Sequence, residues 1–170
     1  MYDISVFDQV NMPLDWAMIY YGIDNNIFSI DIAQEFAYRK LERNEQLSEE
    51  EMELTWNSQN RLDVLDLIRE ILDDQGNTGE IIEEAKDKIR VAIIIYLRLT
   101  EKDRTQLFEK IDMIYEDFGY PEDMEKFISY MPISDEAISL CHTIEDNRNY
   151  LLLKLDDFIK AKQIKYQLLR

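Results

Sequence analysis

The side chains able to do chemistry in this chain are mostly carboxylates and tyrosines. Its one histidine, His142, stands beside its one cysteine, Cys141, with Glu145 one helical turn on. A lone His-x-x-Glu supplies too few ligands for a metal, and a ferritin-like site needs two histidines. A single cysteine excludes an intrachain disulfide and any zinc-type spacing, and reads as a small buried apolar residue. No Ser-His-Asp or Cys-His arrangement with a supporting motif can be assembled, and no phosphate-binding loop. What is left is acid and aromatic. Glu116 and Asp117 fall in the last turn of an expected helix, where the macrodipole disfavours negative charge by about 0.3–1 kcal/mol each. Asp73 and Asp74 fall in the same place on another helix. Tyr115 and Tyr120 flank the first pair, and Glu122 and Asp123 open the next helix, where negative charge is favoured. Acid set against the local rule is what a binding surface can look like, while solvated charge in a very acidic chain is the plainer account. Tyrosine beside carboxylate suits a partner's arginines and the rim of a core equally well.

A second group of carboxylates has the spacing of an enzyme. Glu50-x-x-Glu53 and Glu84-x-x-Asp87 each put two acids on one helix face. Brought together, they could hold Mg²⁺ for hydrolysis of nucleotide pyrophosphates. That spacing resembles the MazG-like all-α pyrophosphatases. E-x-x-E recurs readily among 36 acids, however, and no lysine or asparagine pattern accompanies it. The favoured reading needs no cofactor.

The elements that must position these residues are helices. Gly119 can take the left-handed conformation that closes a helix, Tyr120 is pushed out of the helical region by Pro121, and Pro121 suits the first position of a new helix. A second stop follows at Met131-Pro132, after which Ser134 is placed to cap a helix reaching about Thr143. Upstream, residues 1–12 read as an extended arm, and Pro13 starts a short helix, Leu14 to Tyr21, that Gly22 ends. Ser29 caps a helix over about 30–45, with Ala33, Phe36, Ala37 and Leu41 on one face. Ser48 and Glu51 form a capping box for a helix carrying Met52, Leu54 and Trp56 that pauses near Asn57 to Asn60. A helix over 61–75 has Leu62, Leu65, Ile68 and Leu72 as its stripe and Gly76 as its stop. Thr78 caps a long helix, about 79–99, whose second half is apolar on every side and belongs at the centre of the fold. Thr100 with Asp103 caps the helix ending at Gly119, and a last helix over about 144–168 presents Leu151, Leu155, Phe158 and Ile159. No strand of period two is present.

Residues 61–76 and 104–119 align without gaps at an offset of 43, both starting with Arg and ending acid-acid-x-Gly. That period suits helical-hairpin repeats of the HEAT or armadillo kind, although any two amphipathic helices ending in glycine can be aligned this way. The fold class is all-α: one domain over 1–170, about eight helices in antiparallel hairpins with HEAT-like stacking.

Charge narrows the partners. The net charge is −17 over 170 residues. Residues 1–59 hold 12 acids and 3 bases, and residues 101–146 hold 13 and 4, whereas the tail is positive. Nucleic acid is excluded by the lack of a basic surface, and a basic protein is the natural complement. The first residues carry acids and no basic n-region, and the longest apolar run, Val91 to Leu97, is too short to span a bilayer, so no membrane is involved and a cytoplasmic location is expected.

The stretch IYEDFGYPEDMEKFISYMP, residues 114–132, resembles the signature of a bacterial family of uncharacterised, mostly helical acidic proteins. WAMIYYG around Trp16 is similar too. Small acidic helical families of this type resemble immunity proteins that neutralise bacterial toxins, and the resemblance carries no catalytic residues with it. The expected function is a non-enzymatic binding protein, an immunity protein or antitoxin covering a basic toxin. Tyr115, Glu116, Asp117, Tyr120, Glu122 and Asp123 are its expected contact residues.

Overall fold

A computed structural model describes residues 1–56, 60–73, 76, 78–132 and 143–168. Among them every regular element is helical: eight α-helices and one 3-10 helix, with no strand. The chain divides into two compact units, Met1–Ile89 and Arg90–Arg170. The expected stops near Asn57 and the acid Asp74, and the helix opened by Ser134 with Cys141 and His142, lie outside the described residues.

In Met1–Ile89 the helices are α1 (Ile4–Gln9), α2 (Trp16–Asp24), α3 (Asp31–Glu42), α4 (Glu49–Leu54), α5 (Arg61–Asp73) and the first half of α6 (Thr78–Thr100). The extended arm expected over 1–12 is instead α1. Asp3 caps it by accepting from the Ser5 N–H, and Ile4, Val6 and Phe7 are buried. Six residues are too few for periodicity to show, but a capping aspartate before apolar residues was there to be read.

Gly22 does not end α2, which runs on to Asp24 from a cap at Asp15. It sits inside the helix because the chain folds back over it: the Ile27 and Phe28 N–H groups both donate to the Gly22 carbonyl, at 2.8 and 2.9 Å. A Cβ at this position would stand 2.0 Å from the Phe28 ring. The left-handed residue after α2 is Asn26, φ 56°, and Asn11 and Asn44 follow α1 and α3 in the same conformation. Asparagine tolerates that region because its short amide bonds locally, so a chain with four glycines still closes its helices.

Ser29 Oγ accepts from the Asp31 N–H, and α3 ends at Glu42 rather than 45. The Ser48–Glu51 capping box is present in full. Packing centres on α5, which carries α2 and α4, with α3 against α4. The α5 stripe is Val64, Leu65, Ile68, Ile71 and Leu72; Leu62 is 67% exposed, as are Trp56 (64%) and Leu41 (42%).

In Arg90–Arg170 the second half of α6 is buried along Val91 to Ile95, as its sequence requires. Asp103 caps α7 (Arg104–Asp117), accepting from the Thr105 and Gln106 N–H groups. A 3-10 helix, Glu122–Phe127, follows, and Thr143 with Asp146 forms a second capping box that opens α8 (Ile144–Lys165). Leu151, Leu155 and Ile159 are its buried stripe, and α8 packs on the 3-10 helix. The two aligned helices prove alike in detail. The buried set of α7 is Leu107, Phe108, Ile111, Ile114 and Tyr115, the same five positions as in α5. Asn60 accepts from the Leu62 N–H as Asp103 does for α7, and Gly76 and Gly119 stand at φ 75° and 78°.

Candidate partner-binding corner

The corner starts from backbone geometry. α7 closes with two successive left-handed residues, Gly119 and Tyr120 (φ 59°), whose N–H groups donate to Glu116 and Tyr115 carbonyls at 3.0 and 2.8 Å. For tyrosine that conformation costs about 1–2 kcal/mol. It holds because Pro121 bars the helical alternative. The segment after the 3-10 helix is then tied back onto α7: Asp112 accepts from both the N–H (3.0 Å) and the hydroxyl of Ser129. Tyr130 is thereby set near Tyr115.

Three rings result. Tyr115 and Tyr120 meet edge to face at 5.2 Å, and Tyr115 and Tyr130 lie 6.4 Å apart. Tyr115 is 2% exposed and forms the floor, whereas Tyr120 (59%) and Tyr130 (53%) face solvent. Burial, then Glu125, raises the Tyr115 pKa, and burial, then Glu116 and Asp112, raises that of Tyr130. Burial is the larger cause of both shifts, and the nearby carboxylates act in the same direction. Glu116, Asp117, Glu122 and Glu125 are exposed, and none makes an ion pair among the described residues. Met113, one turn before Glu116, adds an apolar side chain 63% exposed.

Of the six residues expected to meet a partner, four are therefore open at this corner: Glu116, Asp117, Tyr120 and Glu122. Tyr115 supports from below. Asp123 is held from within its own unit: Arg90 grips it through two bonds of 2.7 and 2.9 Å, and Lys162 lies at 2.8 Å. Burial alone would raise the Asp123 pKa, but the two cations bring it below its ordinary value. Arg90 is itself 6% exposed, over the Phe158 ring. Tyr130 and Glu125 belong to the corner although sequence spacing did not assign them. Their place depends on the Asp112–Ser129 tie, which has no local signature.

Two of the four carboxylates with pyrophosphatase-like spacing have local partners. Glu50 accepts from its own cap, Ser48, at 2.7 Å, and Glu84 pairs with Lys88 at 3.1 Å. Among the described residues no three His, Cys, Asp or Glu side chains come together to hold a metal ion. No helix among them is long and apolar enough to cross a membrane.

No curated protein and no solved structure matches the chain. A family model does match it, over residues 4–163, and the chain belongs to that family, described as an uncharacterized protein conserved in bacteria (DUF2247).

Proposed function

We propose that this protein is a non-enzymatic binding module whose acidic corner covers a basic protein, and that the partner is a toxin which it neutralises as an immunity protein. One observation carries the reading. Two exposed tyrosines share one short stretch, residues 116–130, with Glu116, Asp117, Glu122 and Glu125, four exposed carboxylates that make no ion pair among the described residues, whereas Asp112 and Asp123 of the same corner are engaged. Exposed tyrosine supplies rigid amphipathic contact area, and unpaired carboxylates attract lysine and arginine and accelerate encounter. Membership of a bacterial family agrees with this role.

The test is association with the basic product of an adjacent reading frame, followed by stopped-flow mixing. The double variant Glu116→Lys, Asp117→Lys slows association by about tenfold or more at low salt, and the difference shrinks as salt screens it. Its melting temperature stays near that of the parent, since both side chains are exposed. Unchanged association at every salt concentration would remove the corner from the interface. A large drop in melting temperature would make these acids structural.

A further inference from the structure

The outward face of α8 carries more apolar surface than a solvated helix needs. Its buried stripe is Leu151, Leu155 and Ile159. Positions 153, 157, 160 and 164 fall on the opposite side, because steps of four, three and four residues follow one line along a helix. That line reads Leu153, Asp157, Lys160, Ile164, and all four side chains are exposed, the two aliphatic ones by 57% and 62%. At about 1.5 Å per residue, the line is about 17 Å long.

Its order is self-complementary. Two α8 helices laid antiparallel, with a two-fold axis midway between positions 158 and 159, bring Leu153 of each copy against Ile164 of the other. The same axis sets Asp157 of each against Lys160 of the other, so the contact repeats itself as a two-fold interface must. The alternating spacing is that of a coiled-coil seam. A parallel pair in register would instead oppose Asp157 to Asp157 and Lys160 to Lys160. Charge therefore selects the antiparallel arrangement. We propose that two copies of this chain associate along this stripe of α8.

The wider charge distribution favours the same place. Residues 147–170 hold 6 bases and 2 acids, in a chain of net charge −17. Copies meeting through acidic surface would repel, whereas this stripe carries one charge of each sign. Four residues a side fall short of the roughly 20–30 of a standard interface, so association is weak, with Kd of about 10 µM or more. The contact uses none of the residues of the acidic corner and does not depend on that reading.

Sedimentation equilibrium of the full chain, from about 10 µM to 1 mM in moderate salt, tests it. The weight-average mass is expected to rise with concentration toward that of two copies. The double variant Leu153→Glu, Ile164→Glu stays a single copy throughout, and its melting temperature stays near the parent's, since both side chains are exposed. Asp157→Lys opposes two lysines at each crossing and weakens association by about tenfold or more, although it lowers the overall negative charge. Adding Lys160→Asp to that variant restores association, because every crossing again joins opposite signs. The proposal is overturned if the parent stays a single copy at every concentration, or if Leu153→Glu, Ile164→Glu associates like the parent. It is equally overturned if the charge exchange restores nothing.

Discussion

Among the described residues each unit of this protein withdraws one charge almost fully from water, and the two charges have opposite sign. In Met1–Ile89 it is the anion Glu51, 5% exposed; in Arg90–Arg170 it is the cation Arg90, 6% exposed. The means of compensation differ accordingly. Carboxylates are abundant here, so Arg90 is matched by a bidentate aspartate, and Asp123 keeps 42% of its side-chain surface in water and takes Lys162 as well. Bases are scarce, and Glu51 relies on one lysine, Lys40, together with neutral donors: the Trp16 indole N–H and the Ser48 backbone N–H. Its capping-box duty and its charge burial are thus one arrangement, joining α2, α3 and α4. A buried charge is tolerable only when its hydrogen-bonding capacity is filled, and a very acidic chain fills it for anions with backbone and indole as much as with cations.

Removing Glu51 should have the largest effect. Glu51→Ala leaves Lys40 with no carboxylate among the described residues nearer than Glu45 at 4.0 Å, strands a buried indole N–H and undoes the cap of α4. The expected loss is about 3–5 kcal/mol in urea unfolding. A loss below about 1 kcal/mol would show that water reaches this group and that the contrast between the units is false. Asp123→Asn should destabilise less, by about 1–2 kcal/mol, because its side chain is more than a third exposed and solvent screens the pair. An equal or larger loss than for Glu51→Ala would reverse the order.

Acid titration gives the smallest and most specific difference. Burial raises the Glu51 pKa, but bonds from Lys40, Trp16 and Ser48 outweigh it and leave the group below its ordinary value; Asp123 is lowered likewise by Arg90 and Lys162. A carboxylate depressed on folding contributes stability that is complete above its unfolded pKa, about 4 for both residue types, and is lost as pH falls through the folded value. The parent should therefore lose stability below about pH 4, and Glu51→Gln should lose less over that interval. Parallel pH curves for parent and variant would contradict the lowered Glu51 pKa.

Much of this architecture was legible in the sequence. S-x-x-E before Met52 named the α4 cap, and the acid-acid-x-Gly endings of 61–76 and 104–119 marked two helices that proved to bury the same five positions. The misses have physical causes. Gly22 reads as a stop because a glycine signals either a turn or a close approach, and only Phe28 folding back tells which. Asn11, Asn26 and Asn44 were the actual stops, and asparagine is ambiguous between cap, turn and surface. At the corner, Glu116 and Asp117 stood out because they oppose the helix dipole, a rule acting within one turn. Asp123 looked alike, yet its partners Arg90 and Lys162 come from distant parts of the sequence and no local rule reaches them.

The contact between Gly22 and Phe28 has an evolutionary consequence. A methyl at position 22 and a phenyl ring at position 28 would claim the same volume, with 2.0 Å between atoms. Relatives that carry alanine at the first site should therefore carry a smaller aliphatic residue at the second. Alanine at position 22 with phenylalanine kept at position 28 is the combination that the fold should refuse, whereas a smaller residue at 28 beside glycine leaves only empty space.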